Sequence, residues 1–380
     1  MKIAFFSESY KPYLSGVTNS VETLANELES LGHEVYIFAP DYPGAERSDK
    51  IYRFPSIKAP YPGYRLAIPK PRDTLKMLKE KKIELIHSHS PYQLGLMSMW
   101  CAKKLRIPFV FTMHTLFDKY MHYVPILPQE LKEKFISGYL KGFANRCDAV
   151  IVPTHKAMEN LRSKGTVREI EVIPTGVNLN LFKGLKPAQV KKKYKIPSTA
   201  KILLYVGRLA EEKNLPFLLR SFKLILNKVK NIRLLIVAGG PMESELKEEA
   251  ANLDIFEKTI FTGEVSYPEV LNYYAAADLF VFSSLTETQG LVLPEAMAAG
   301  LPVVAVNSEG VANMVKEGES GSLVEPNEHL FSEKVIDLLS SKERLLKLRA
   351  KTKKYAQRYS SGNFAKKVEE LYSSLLASNK

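Results

Sequence analysis

Two carboxylates, Glu287 and Glu295, stand with seven residues between them in Leu285-Thr286-Glu287-Thr288-Gln289-Gly290-Leu291-Val292-Leu293-Pro294-Glu295. The apolar run just before, Leu279-Phe280-Val281-Phe282, reads as a buried parallel strand. Gly290 permits a tight turn, and Pro294 fits the first position of a helix that Ala296-Met297-Ala298-Ala299 carries on to Gly300. Glu287 then lies on the loop leaving a strand, and Glu295 in the first helical turn. Carboxylates so placed accept hydrogen bonds from several hydroxyls, which suits a polyhydroxylated ligand, while a helix start offers free N–H groups to phosphate. The bland alternative is a carboxylate complementing a helix dipole beside a solvated loop charge.

Cations stand elsewhere in a comparable setting. Gly207-Arg208-Leu209-Ala210-Glu211-Glu212-Lys213-Asn214 follows the strand-like run 201–206 and is expected to open a helix. Arginine grips phosphate oxygens bidentately and lysine adds a mobile point charge; without a ligand the stretch is only a basic capping loop. Near the start, Gly16 enters a helix whose Val17, Val21, Leu24, Leu28 and Leu31 share one face. A glycine there lets a phosphate approach, but the three-glycine dinucleotide fingerprint is missing, which argues against a nicotinamide or flavin. His87 and His89 could share a strand face as metal ligands, yet no third ligand accompanies them. His114, in Phe111-Thr112-Met113-His114-Thr115, ends another strand-like run, and no Asp-x-Asp occurs anywhere.

The elements that must hold these groups alternate as a doubly wound sheet requires. Strands are expected at 84–87, 108–111, 149–152 and 171–173, with helices near 72–82, 92–105, 129–146 and 154–163. In the second half, 232–237 and 260–265 end in glycine turns, 301–306 closes the sheet, and helices follow near 327–339, 341–358 and 361–377. A lysine-rich connector through Lys191-Lys192-Lys193 joins the halves. The helix near 129–146 sets Leu131, Phe135, Tyr139, Leu140 and Phe143 on one side, with Lys132, Lys134, Lys141 and Arg146 among its polar positions. It suits either a domain face or an anionic bilayer.

A chain of 380 residues exceeds one compact core, so two domains are expected. No apolar run approaches the roughly 18–20 residues of a membrane span, and the first apolar run is too short for a signal peptide. Two cysteines without metal spacing favour a reduced, cytoplasmic setting. The net charge of +13, positive in both halves, suits phosphate-rich ligands, an anionic membrane or nucleic acid, or merely a lysine-rich surface.

Taken together, these motifs resemble those of retaining, nucleotide-sugar-dependent glycosyltransferases of the GT-B type, family four. The likeness rests on the E-x7-E stretch, on Gly207-Arg208-Leu209 with Glu212-Lys213-Asn214, on the His114 segment and on Pro174-Thr175-Gly176-Val177-Asn178, in the family's order. The resemblance implies an α/β GT-B fold, two Rossmann-like doubly wound domains facing a central cleft. Residues 1–177 would form the acceptor-side domain, with a helix at about 360–380 packing back on it, and 178–359 the donor domain. It implies catalytic roles for His114, Arg208, Lys213 and Glu287. It places Gly16, Arg208, Lys213, Val265 (through its backbone, toward the base), Glu287, Gln289, Gly290, Leu291 and Glu295 around the donor. Glu287 would hold sugar hydroxyls and Glu295 the ribose. No cofactor and no metal are implied, only a nucleotide-sugar co-substrate; nucleic acid is not among the expected partners.

The pattern His114-Thr115-(x)4-Tyr120-x-His122-Tyr123 is similar to that of bacterial diacylglycerol glucosyltransferases, monotopic enzymes with a lipid acceptor. By that likeness Tyr13, Tyr120, His122, Lys132, Lys134 and Lys141 face the acceptor or membrane, and the enzyme is cytoplasmic with peripheral association at the inner membrane face. UDP-glucose is the favoured donor. Competing readings are a GDP-mannose-dependent mannosyltransferase acting on a phosphoinositide or other acceptor, a GT-B nucleotide-sugar epimerase, a phosphorylase needing pyridoxal phosphate, and a non-catalytic basic scaffold.

Overall fold

Ile3, Ala4, Phe5 and Phe6 have no exposed surface. They form strand β1 (Lys2–Phe6), and alternate residues feed opposite faces of one sheet. Ala4 and Phe6 join an apolar cluster with Phe38, Ile86 and Phe111; Ile3 and Phe5 join another with Leu85, Val110 and Ile151. Burial on both faces is why these strands read as unbroken apolar runs. The computed structural model describes residues 1–13, 15–59, 63–115, 129–308 and 310–378, with 129–133 described by backbone alone.

After β1 come α1 (Gly16–Ser30), β2 (Glu34–Pro40), β3 (Ile51–Phe54), the hairpin β4 (Ser56–Lys58) and β5 (Arg65–Ala67), and α2 (Pro71–Glu80). Then follow β6 (Leu85–Ser88), α3 (Gln93–Leu105), β7 (Phe109–Thr112), α4 (Gln129–Ala144), β8 (Ala149–Val152), α5 (His155–Ser163) and β9 (Ile170–Val172). The parallel sheet runs β3-β2-β1-β6-β7-β8-β9. Its direction of growth reverses between β1 and β6, the switch point where open α/β sheets leave a crevice outside their carboxyl ends.

The second unit, Val177–Ser360, repeats the plan. It contains α6 (Pro187–Lys193), β10 (Lys201–Val206), α7 (Leu215–Lys228), β11 (Ile232–Val237), α8 (Glu243–Asn252), β12 (Thr259–Phe261) and α9 (Tyr267–Ala276). It continues with β13 (Leu279–Phe282), α10 (Val292–Ala298), β14 (Val303–Val306), β15 (Gly321–Val324), α11 (Glu328–Ser340) and α12 (Lys342–Tyr355). Its parallel sheet runs β12-β11-β10-β13-β14-β15, with the switch point between β10 and β13. The two sheets give two Rossmann-like domains.

The last helix, α13 (Ser361–Ser378), belongs to the first unit, which is Met1–Gly176 with Ser361–Lys380. Phe364, Ala365, Val368, Leu371 and Tyr372 are buried with Val21, Leu24 and Leu28 of α1. Each large apolar side chain so buried contributes about 1.5–3 kcal/mol. Leu31, expected on the same stripe of α1, is exposed because it caps the helix instead.

Several local expectations need correction. Helix α10 begins at Val292, so Pro294 is its third residue; a first-turn N–H has no intrahelical partner, so proline costs little there. The motif Arg208–Lys213 occupies a loop and a 3-10 turn, Glu211–Lys213, and α7 starts only at Leu215. The lysine-rich connector folds as α6. The sheet is closed by β15, not by the 301–306 run, and the first glycine of β15 is forced: a Cβ on Gly321 would lie 1.9 Å from the Val303 carbonyl oxygen. No helix among the described residues is long and apolar enough to cross a membrane.

Candidate active site

In the second unit, Arg208 and Lys213 leave the carboxyl end of β10, and Glu287 leaves that of β13, so they flank the switch point. The Lys213 Nζ lies 2.5 Å from Glu287 Oε1, and the two side chains are only 15% and 13% exposed. Cation and carboxylate, expected to serve different parts of a ligand, are thus one ion pair. Arg208 is exposed, five residues before Lys213 in the same loop.

Three serines that no motif singles out hold these loops together. The Ser283 hydroxyl donates to the Lys213 carbonyl at 2.8 Å, Ser284 to that of Glu212 at 3.2 Å, and Ser308 to that of Ser284 at 3.0 Å. Gly310 completes the brace, because a Cβ there would sit 1.9 Å from the Glu287 carbonyl oxygen. On the other flank, a Cβ at Gly240 would meet the Leu209 carbonyl oxygen at 2.4 Å, so that turn packs directly on the backbone after Arg208.

Gly290 does have the positive φ, 67°, that its turn requires, and Leu291 caps α10. Gln289 is buried and Val265 half-buried, the latter just after the turn at Gly263. Glu295 is buried, and its Oε2 accepts a 2.8 Å hydrogen bond from the Tyr274 hydroxyl. Burial pushes its carboxyl up to about 7, against the pull of hydrogen bonds from Tyr274 and Tyr267.

In the first unit the corresponding edge carries Glu8 after β1, His89 after β6 and His114 after β7. Glu8, unassigned by its motif, is buried and accepts the Leu94 backbone N–H at 2.6 Å, supplying a cap that α3 lacks from its own Tyr92. Burial raises its carboxyl to about 7, opposed by the Leu94 and Gly95 backbone bonds. Both carboxyls therefore hold a proton in the folded chain that the unfolded chain releases near 4.5. Their contribution to stability is present below about 4.5 and is lost as pH rises through about 7. The melting temperature is expected to fall from about pH 5 to 8, more gently in Glu8→Gln and Glu295→Gln; slopes identical to wild type in both variants would refute this.

His114 is half-buried and burial pushes its imidazole down to about 4, so it is neutral near pH 7. Its Nε2 lies 3.1 Å from His89 Nδ1. His87 has both ring nitrogens engaged, Nδ1 with the Tyr372 hydroxyl at 2.5 Å and Nε2 with Thr112 Oγ1 at 2.6 Å. It therefore has no nitrogen left for a metal. No cluster of three or more His, Cys, Asp or Glu that could hold a metal is found among the described residues. Gly16 is exposed at the first turn of α1, whose cap Ser15 accepts the Thr18 N–H at 3.1 Å. Its φ is not left-handed; glycine here only leaves the first turn bare of a side chain.

On the expected acceptor side, Tyr13 packs against Tyr42 and Tyr64, with ring centroids 6.1 and 5.7 Å apart. Lys134 and Lys141 are exposed on α4. The apolar face of α4 is divided: Leu140 and Phe143 are buried, while Phe135 is 72% exposed. The sequence pattern alone could not separate them, because helical spacing does not say where the supporting domain ends. Tyr120, His122 and the side chain of Lys132 lie outside the described residues.

Residues 188–359 match the family Glycosyl transferases group 1, and residues 14–181 match Glycosyltransferase Family 4. An alpha-monoglucosyldiacylglycerol synthase of Streptococcus pneumoniae is 32% identical over 387 residues, covering 100% of this chain and 87% of that protein. Its namesake from Acholeplasma laidlawii is 32% identical over 397 residues, covering 100% and 98%. A GDP-mannose-dependent alpha-mannosyltransferase of Corynebacterium glutamicum is 29% identical over 336 residues, covering 86% and 77%. Among solved structures, sucrose-phosphate synthase of Thermosynechococcus elongatus shares the fold with a TM-score of 0.78 at 23% identity, covering 99% of each chain.

Proposed function

From the premise that this chain belongs to the group 1 glycosyl transferases and is a hexosyltransferase, we propose that it moves glucose from UDP-glucose to the hydroxyl of a membrane lipid such as diacylglycerol, with retention of configuration. The observation that carries the donor half of this reading is the Lys213–Glu287 pair at the switch point of the second sheet. A lysine and a neighbouring arginine at a strand end suit a departing diphosphate, and a carboxylate in contact with that lysine suits the hydroxyls of the attached sugar. Charge stabilisation of the leaving diphosphate falls to Arg208 and Lys213, aided by N–H groups at the Gly290–Leu291 turn.

Glu287 orients the hexose rather than attacking it. Its carboxylate is already committed to Lys213, which lowers its value as a nucleophile. The acceptor hydroxyl approaches the face the diphosphate is leaving and passes its proton to a leaving phosphate oxygen, so the new bond keeps the anomeric configuration. Neutral His114 offers a hydrogen bond at the sugar without bringing charge. Glu295, whose carboxyl is bonded to Tyr274, contributes to the ribose end of the donor.

The acceptor half rests on full-length similarity to two alpha-monoglucosyldiacylglycerol synthases. The exposed Phe135 beside the exposed Lys134 agrees with it, an apolar ring next to a cation being what an anionic lipid surface retains. The runner-up is mannosyl transfer from GDP-mannose, favoured by the mannosyltransferase relative. Thermal shift and hydrolysis with UDP-glucose, UDP-galactose and GDP-mannose, followed by transfer into diacylglycerol liposomes with and without anionic lipid, decide between them. UDP-glucose is expected to stabilise the chain most and to label the liposomes, more so with anionic lipid. A preference for GDP-mannose, or no transfer to diacylglycerol, overturns the corresponding half.

A further inference from the structure

We propose that His89 is a positioning residue: it donates its Nδ1–H to His114 Nε2 and thereby fixes the ring orientation and the tautomer of His114, leaving Nδ1–H as that ring's remaining donor. The inference rests on the reading of His114 as the imidazole that meets the donor sugar, and adds a residue which that reading does not contain.

The geometry starts from a fixed base. His87 is fully buried and tied at both nitrogens, to Tyr372 of α13 and to Thr112 at the end of β7. The His89 ring lies 4.2 Å from it, centroid to centroid, and the Phe5 ring closes on His89 at 4.9 Å, nearly edge-on. His89 is 4% exposed. Held between these two rings, it has little freedom to rotate. Its Nδ1 faces His114 Nε2 at 3.1 Å, and the two imidazoles are nearly parallel, 24° apart.

One proton must lie between those nitrogens, and the other nitrogen of His89 decides whose it is. His89 Nε2 is buried and has no partner among the described residues. If His114 donated, neutral His89 would carry its own proton on Nε2, a buried N–H with nothing to accept it. If His89 donates from Nδ1, Nε2 is a bare lone pair. An orphaned buried N–H is the rarer and costlier arrangement, so the second wins. Neither ring can relieve the conflict by becoming charged, because burial opposes the charged form of both imidazoles. His114 therefore accepts at Nε2 and carries its proton at Nδ1. A packed core histidine with no influence on its neighbour is the competing account, and it predicts no tautomer.

The test uses the full chain with 15N-labelled histidine, reading ring-nitrogen shifts of His114 alongside steady-state kinetics with UDP-glucose. Wild type is expected to show His114 as the Nδ1–H tautomer. In His89→Ala the two tautomers should mix, and kcat should fall on the order of 10²-fold with the donor KM unchanged, the scale expected for a misplaced reacting group. In His89→Asn, whose amide can place an N–H where Nδ1 was, both the single tautomer and most of kcat should return. Wild-type His114 found as Nε2–H overturns the proposal, even if His89→Ala does not fold. An unmixed tautomer and unchanged kcat in His89→Ala overturn it too. Full turnover by His114→Ala would instead refute the role of His114 in the proposed function, while the wild-type tautomer would still decide the positioning geometry.

Discussion

Lys213→Ala lowers kcat/KM for the nucleotide-sugar donor by about 10²–10³-fold, the cost of removing one preorganised group that meets developing charge. Two effects converge on this variant. The leaving diphosphate loses a cation, and Glu287, only 13% exposed, loses the partner that offsets its burial. They can be separated. Lys213→Ala combined with Glu287→Gln should recover melting temperature relative to Lys213→Ala alone, because no buried carboxylate is left unpaired, yet recover no turnover. Lys213→Arg keeps the charge but replaces a point by a fork, and should retain only part of the rate. EDTA should leave wild-type turnover unchanged. Strong EDTA inhibition, or Lys213→Ala within a few-fold of wild type, would count against a metal-free clamp built on this lysine.

The second large effect is expected at a residue that touches no ligand. Gly310→Ala puts a methyl where the Glu287 carbonyl oxygen now lies 1.9 Å away, with the carbonyl carbon at 2.4 Å and Glu287 Cβ at 3.0 Å. The first two are backbone atoms and the Cβ is fixed by the backbone, so no side-chain rotation can clear them and the Glu287 loop itself must move. A displacement of about 1 Å in a positioning group costs on the order of 10²-fold in rate. Donor hydrolysis should drop by that amount. Gly138→Ala in α4, where an added Cβ meets nothing within 4 Å, serves as the control and should be silent. If Gly310→Ala turns over normally, the brace behind Glu287 does not position it.

The contrast between these two residues shows what a sequence can reveal about such a site. Lys213 and Glu287 were legible because each sits at a fixed offset from an apolar strand run, and the doubly wound pattern sends such loops to one edge of a sheet. Their direct pairing was not, since 74 residues separate them and nothing local marks it. Ser283, Ser284 and Ser308 donate to carbonyls up to 72 residues away, and a hydroxyl bonded to a distant main chain leaves no periodicity. Gly310 looked like any loop glycine, as its requirement comes from a neighbouring chain segment rather than from its own dihedral. Most apolar strands were placed to within a residue or two, although β12 ends at Phe261 instead of running to 265. By contrast β3, interrupted by Arg53, β15, which opens on glycine, and the short hairpin β4–β5 lack the apolar run that announced the others. Glu8 was visible only as a charge in the loop after β1; its service to α3 depends on the crossover that sets β1 beside β6.

The way the chain returns to its first unit bears on how it is made. Val21, Leu24 and Leu28 of α1 are covered by α13, which a ribosome reaches only after the entire second unit. At about 5–20 residues per second, the stretch from Gly176 to Ser361 takes roughly 10–40 s to synthesise. For that interval the nascent first unit presents an unfinished greasy flank, a natural holding point for a chaperone, while Val177–Ser360 can condense on its own.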